Sequence, residues 1–467
     1  MTQKTWTAAI LLICLSLLVF GCAGGGTGSN EAGATNEAAP EAGAANTDAP
    51  STGAGAQAGL QAEGDMTYWY PWGGESEEWD KGRIADYMAE KPGVNINAVY
   101  VPPDGGLSNG KLIAAISGKN PPDLVISNEF ATAYSLSTQN ALMPLDDLMA
   151  KAGFSEDEII DSFKPLMKYK DQTYIFPQDS NVKMLFYNVE MFREAGLDPD
   201  HPPKTIAELD AAAEKLNKIN GDNIERLGFI PWLDSGDEAF LWGWVYGADF
   251  YDPETGKVKL DDERLAQVYD WMNGYAKRFN PEKIKSFSSG FGGQFSPDHP
   301  FFTGKVAMTV NGNWFANLLK TYAPDIEYRV APIPYPEGGR EKATTFGTNV
   351  FMIPKGAKNP EAAMDFILSA GKPEQLADNI NIWRSISVYK EPSDAIKWDS
   401  EGDEVYKVVR EIAESPNSGH PALTSVAKEM SNELNLLRDN VIYNDKDPRP
   451  LLKELEKKLQ AAADKKK

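Results

Sequence analysis

Indole rings stand beside hydrogen-bonding groups at several points in this chain. Trp72 is followed by Gly73, Gly74 and Glu75, and Trp232 by Leu233 and Asp234. Trp314 is flanked by Asn311 and Asn313, and Trp244 closes a second aromatic run, 240–244. A flat apolar ring beside amides and carboxylates suits a ligand with a C–H face and a hydroxyl edge, such as a sugar ring. That is the chemistry of grip rather than of turnover.

Turnover finds little support. No zinc-protease helix motif and no nucleophile elbow is present. His201, His299 and His420 are far apart, and each precedes a proline, which suits turns. Carboxylates are so numerous that pairs fit for glycoside hydrolysis can always be imagined. Gly105, Gly110 and Lys111 imitate a phosphate loop, but Leu112 stands where a magnesium-binding hydroxyl belongs. Asp252, Glu254, Asp261 and Asp262 cluster as a calcium site might, yet 252–256 reads more simply as a turn. No metal, no cofactor and no enzymatic activity are expected. The formal net charge of −22 repels nucleic acid and other polyanions.

The elements that must position these residues alternate between strand and helix. Strand-like runs cover 66–70, 94–101, 121–126, 183–187, 227–230, 306–310, 328–331 and 349–353. Helical patterns cover 107–117, 207–219, 263–278, 421–441 and 450–463. Such alternation implies parallel βαβ units in an α/β fold. Ligands of open α/β sheets bind beyond the carboxyl ends of strands. Trp72, Gly74 and Glu75 follow the first strand, Asn128 and Glu129 the third, and Trp232 the run 227–230. On a strand, Trp242 and Trp244 would share a face; on a helix they point apart and at most one reaches ligand. The helix is the expected case, and Trp244 the residue kept. With 467 residues and 42% hydrophobic content, two lobes are expected.

The amino terminus reads as an export signal. Lys4 precedes an apolar run, 8–20, too short for a confident membrane span. It ends at Gly21 and Cys22, which resembles a bacterial lipobox. The resemblance implies a lipoprotein signal peptide at 1–22 and a lipid on Cys22. Residues 23–64 are mostly Gly, Ala, Asn, Thr, Pro and Glu, with almost nothing to bury. They are expected to form a disordered tether reaching about 35 Å. Of two cysteines, Cys14 leaves with the signal and Cys22 is left alone, so no disulfide is expected.

Four segments, in order, resemble the family 1 extracellular solute-binding proteins, the group of maltose-binding protein. They are 111–125, with its Gly118, Pro121, Pro122 and Asp123; 177–188; 302–314; and 346–363. The resemblance implies a two-lobed, type II periplasmic-binding-protein-like fold with ligand in a cleft between lobes joined by crossover strands. The first lobe would hold 65–177 and 351–400, the second 178–350 and 401–467. It implies that Trp314 stacks a sugar and that Asp179 and Asn349 flank the cleft at the two crossovers. Trp383 and Arg384 fall where many family members carry a Pro-x-Arg segment. The family also uses aromatic and Arg residues in a late helix, but 421–437 has neither, so simple maltose is not expected. The expected function is carbohydrate capture, most simply of an oligosaccharide, by a monomer that serves the permease of an ABC importer. The expected location is the outer face of a Gram-positive cell membrane, held by the lipid. A secreted carbohydrate-active enzyme and a sensory lipoprotein on the same fold are the alternatives.

Overall fold

A computed structural model describes residues 59–102, 110–221, 223–233, 238–293, 295–392, 394–397 and 403–466. The signal segment with Cys22, the tether up to residue 58, the glycine-rich loop before Gly110, and Asp234 lie outside the described residues.

The first lobe is built on a six-stranded sheet. β1 (Gly64–Tyr70) pairs in parallel with β2 (Val94–Tyr100) and β3 (Leu124–Ser127). Between β1 and β2 runs α1 (Glu75–Glu90), and α2 (Phe130–Thr138) follows β3. The chain then enters β4 (Phe176–Asn181) and passes directly into β5 (Lys183–Asn188), which belongs to a different sheet. β5 is central in the second lobe. β6 (Met308–Gly312) and β7 (Tyr328–Ala331) flank it, both antiparallel. All six β5 residues are buried, as fits a strand covered on both faces.

The chain returns through β8 (Gly347–Met352), which pairs antiparallel with β3 and β4; β9 (Ile386–Ser387) completes the edge. The sheet order is therefore β9-β4-β8-β3-β1-β2. The parallel pairing implied by the alternation holds for β1, β2 and β3, while the two crossover strands are antiparallel to their neighbours. β4 carries the chain toward the second lobe and β8 brings it back, so the two must run in opposite directions. The crossing points fall at Val182 and at 344–346, a few residues inward of the boundaries expected from the sequence.

The body also begins earlier than expected. Gly64 is already paired in β1, and the Gln61 N–H donates to Glu361 Oε2 at 2.7 Å. The helix expected from 421 starts only at Ala427, after a turn at Thr424. Arg83 in α1 is buried with Asp80 and donates to Gln178 of β4 at 2.7 Å, tying α1 to the crossing strand.

In the second lobe α3 (Glu238–Val245), α4 (Glu263–Phe279) and α5 (Phe315–Tyr322) join the sheet. The helices α6 (Pro360–Ala370) and α7 (Pro373–Trp383) lie beyond β8, and α8 (Glu404–Ala413) returns to β7. The last two, α9 (Ala427–Asn444) and α10 (Pro448–Lys465), bury Met430, Leu434, Leu452 and Leu459 against Leu265 and Tyr269. The lobe memberships of these late helices follow from their cores.

Candidate functional site

Strand register brings the candidate residues to facing edges. Tyr70 is level with Tyr100, Trp69 with Val125, and Ser127 with Val350. The carboxyl ends of β1, β2 and β3 therefore lie where the chain crosses between lobes. In the second lobe Gly312 is level with Lys183, so β6 ends at the same crossing. A parallel bridge from Leu227 to Val306 sets the start of the run toward Trp232 beside the residues that lead into β6. Trp72, Gly74, Glu75, Asn128 and Glu129 thus come from one lobe, and Trp232, Asn313 and Trp314 from the other.

Trp314 folds back over Gly312. A Cβ on Gly312 would stand 2.0 Å from the six-membered ring, so only glycine admits this pose. The indole is partly exposed, and its Nε1 is buried without a protein partner. Trp72 Nε1 and Asn311 Nδ2 are in the same condition. Buried donors are normally paired, so these three, one after β1 in the first lobe and two at the end of β6 in the second, stand out as donors that no protein acceptor uses. Gly74 takes φ 64° at the start of α1 and has open space around it. Asn128 is exposed; Trp232 is partly buried against the second-lobe core.

Other candidates have different employment. Asn313 is fully buried, and its amide is spent within the protein. Its Oδ1 accepts from Val182 N–H at 2.9 Å, and its Nδ2 donates to Asn181 Oδ1 at 2.9 Å and to the Trp383 carbonyl at 2.8 Å. Asp179 is buried and accepts from Asn349 at 2.7 Å and from Asn379 at 3.0 Å. Burial pushes its carboxyl above the usual range, and these bonds pull the other way. Asp179 and Asn349 therefore bond each other in the crossover, because the antiparallel pairing of β4 with β8 sets residue 179 level with 349.

Trp244 sits on a helix, as expected, while Trp242 is buried and donates to the Pro231 carbonyl at 2.9 Å. One face of Trp244 is already covered: the Arg340 guanidinium lies 3.8 Å from the ring centre. Its Nε1 donates to the Asn417 carbonyl at 2.7 Å. Arg384 is held by Asp403 at 2.8 Å, and Trp383 is partly buried at the end of α7. Glu129 accepts from Lys428 Nζ at 3.0 Å and from Thr132 Oγ1 at 2.8 Å. Glu75 opens α1.

Arg340 and Lys428 were not legible as site residues, because nothing near them in the sequence names Trp244 or Glu129. The hydroxyls of Thr345 and Thr348 on the return crossover were also missed; both are buried without a partner. The acidic cluster resolves into separate tasks. Asp252 accepts from the Glu254 and Thr255 N–H groups at 3.0 and 3.1 Å, closing the turn, and Asp262 caps α4. Among the described residues no three His, Cys, Asp or Glu side chains converge as metal ligands would.

Comparison with known proteins matches this geometry to one group. The family model described as bacterial extracellular solute-binding protein matches residues 73–375. The arabinooligosaccharide-binding protein of Bacillus subtilis (strain 168) is 22% identical over 384 residues, covering 81% of this chain and 83% of its own. The sn-glycerol-3-phosphate-binding periplasmic protein UgpB of Pectobacterium atrosepticum is 25% identical over 339 residues, with 69% and 72% covered. Among solved structures, CpMnBP1 with mannotriose bound is 31% identical at a TM-score of 0.77, covering 84% of this chain and 98% of that one.

Proposed function

The chain belongs to the bacterial extracellular solute-binding proteins, and from that premise we propose that it captures a neutral oligosaccharide between its lobes for the permease of an ABC importer. The family binds and does not catalyse. The observation that carries the sugar reading is the pair of indoles, Trp72 just after β1 and Trp314 just after β6, each with an Nε1 donor that no protein group uses. Rings offer stacking faces and the free donors offer bonds to hydroxyl and ether oxygens.

A phosphorylated ligand, as bound by the glycerol-phosphate relatives, would need an unpaired cation. Here Arg384 is paired with Asp403, Arg340 with Asp249 and Lys428 with Glu129. Breaking one of those pairs to serve a phosphate would strand its carboxylate partner. A neutral ligand asks for no such exchange, and CpMnBP1 with its mannotriose and the arabinooligosaccharide binder of Bacillus subtilis favour the same class.

The test is tryptophan emission during titration with mannotriose, arabinotriose, maltotriose and sn-glycerol-3-phosphate. A saturable change with a neutral trisaccharide, lost in Trp314→Ala with folding intact, supports the reading. Saturation by the phosphate alone would replace it.

Anchoring completes the proposal. Cys22, after removal of the preceding segment, carries diacylglycerol, and the Gly/Ala-rich stretch links a monomeric binding body to the outer face of the cell membrane. Cys22→Ser should move the protein from the membrane fraction into the medium; unchanged membrane retention would refute lipidation at this residue. Loss of sugar uptake on deleting the gene separates transport from sensing on the same fold.

A further inference from the structure

Glu129 and Lys428 stand on different lobes and meet. Glu129 precedes α2, whose Phe130, Ala133 and Leu136 belong to the first-lobe core. Lys428 lies in the first turn of α9, whose Met430, Leu434 and Leu437 belong to the second. α2 packs against α9 beside the pair, and Thr132 Oγ1 holds the same carboxylate oxygen that Lys428 reaches.

The placement of each charge argues for a purpose. A carboxylate at the start of a helix is favoured by the helix dipole, and an ammonium in the first turn is not. Glu129 suits α2, whereas Lys428 is badly placed on α9 by itself. Its position is relieved by a carboxylate that only the other lobe supplies. The two side chains are 28% and 32% exposed, so the contact is salt-sensitive without being fully solvated.

We propose that Glu129–Lys428 is an interlobe latch: a positioning contact that weights the closed arrangement and slows release of the solute between the lobes. The pair is made across the lobes and is lost when they part, so its energy enters the open–closed equilibrium directly. The inference needs the solute-binding role of the family, and it does not depend on the solute being a sugar.

The test uses the full chain without added solute. A water-soluble carbodiimide activates the Glu129 carboxylate; the Lys428 amine attacks it, forming an amide while the carbodiimide departs as a urea. Mass spectrometry should find that linked peptide at low salt and several-fold less of it at high salt. Small-angle scattering then compares the parent with Glu129→Gln, Lys428→Gln and the reciprocal pair Glu129→Lys with Lys428→Glu. Each single variant should raise the radius, reflecting a roughly two- to fivefold fall in the closed-to-open ratio, the scale of a partly exposed pair. The reciprocal pair should restore the parent value, which a merely local role would not do. Absence of the linked peptide, single-variant radii equal to the parent, or failure of the reciprocal pair to restore the radius would each overturn the latch. If the trisaccharide titrations fail while the scattering result holds, the latch stands and only the solute class changes.

Discussion

The Asn313 side-chain amide donates to the Trp383 backbone carbonyl at 2.8 Å, joining the end of the second-lobe strand β6 to the end of helix α7. The same side chain accepts from Val182 N–H in the first crossover. One amide thus joins the first crossover, the end of β6 and the end of α7 immediately before Trp314.

Removing it should be costly. Asn313→Ala leaves Val182 N–H, Asn181 Oδ1 and the Trp383 carbonyl without their partner in a buried place. The expected destabilisation is about 2–4 kcal/mol, read as a lower urea midpoint. An unchanged midpoint would show that the crossover does not depend on this amide.

Gly312→Ala tests the pose of Trp314 without deleting the ring. The added methyl would lie 2.0–2.3 Å from three ring carbons, so the indole must leave its seat. Affinity for the trisaccharide that binds the parent should fall on the order of tenfold or more, equivalent to about 1.4 kcal/mol, with unchanged far-ultraviolet circular dichroism. Undiminished affinity would mean the seated indole is not a ligand platform.

Arg340 covers Trp244 and also donates to the Trp244 and Ala248 carbonyls and to Asp249, at 3.0, 3.0 and 2.7 Å. A planar fork satisfies all of these at once, and an ammonium cannot. Arg340→Lys should therefore lose nearly as much stability as Arg340→Ala, roughly 1–3 kcal/mol in each case. Full rescue by lysine in thermal melts would reduce the contact to charge alone.

His420 gives the fold an acid dependence. Its ring lies 5.3 Å from Phe163 and 5.1 Å from Phe346, and its Nδ1 has no partner. Burial pushes the imidazole down to about 4. The unfolded chain binds this proton near the ordinary value of about 6.5, so the unfolded state gains protons first as pH falls. Stability from this group is full above about 6.5, declines through the interval, and is gone once pH passes below about 4. The loss should amount to roughly 3 kcal/mol, and His420→Phe should flatten that part of the pH profile of urea unfolding. An identical slope in the variant would assign the acid sensitivity to other groups.

The candidate site was only partly legible beforehand. Positions after strands were readable because a strand end follows from pattern and turn residues: Trp72 follows β1, Glu129 follows β3 and Trp314 follows β6, whereas Trp232 follows only an isolated bridge at Leu227. The tasks of Asp179, Asn349 and Asn313 were not readable. Each is settled by a partner far away in the chain: Asn349 for Asp179, and Val182 and Trp383 for Asn313. A carboxylate aimed at a ligand and a carboxylate bonded to a distant amide look the same in sequence.

What the sequence determined by itself was local: the period of the strand 66–70 and of the helix 263–278, the turn at Asp252, and the choice of helix for Trp242 and Trp244. These depend on neighbours within a few residues, where backbone geometry and side-chain alternation act. The tertiary structure alone decided that Asp179 is level with Asn349 between β4 and β8, and that Lys428 reaches Glu129. Those outcomes depend on long-range packing, in which many weak contacts choose one arrangement among several that the same local pattern allows.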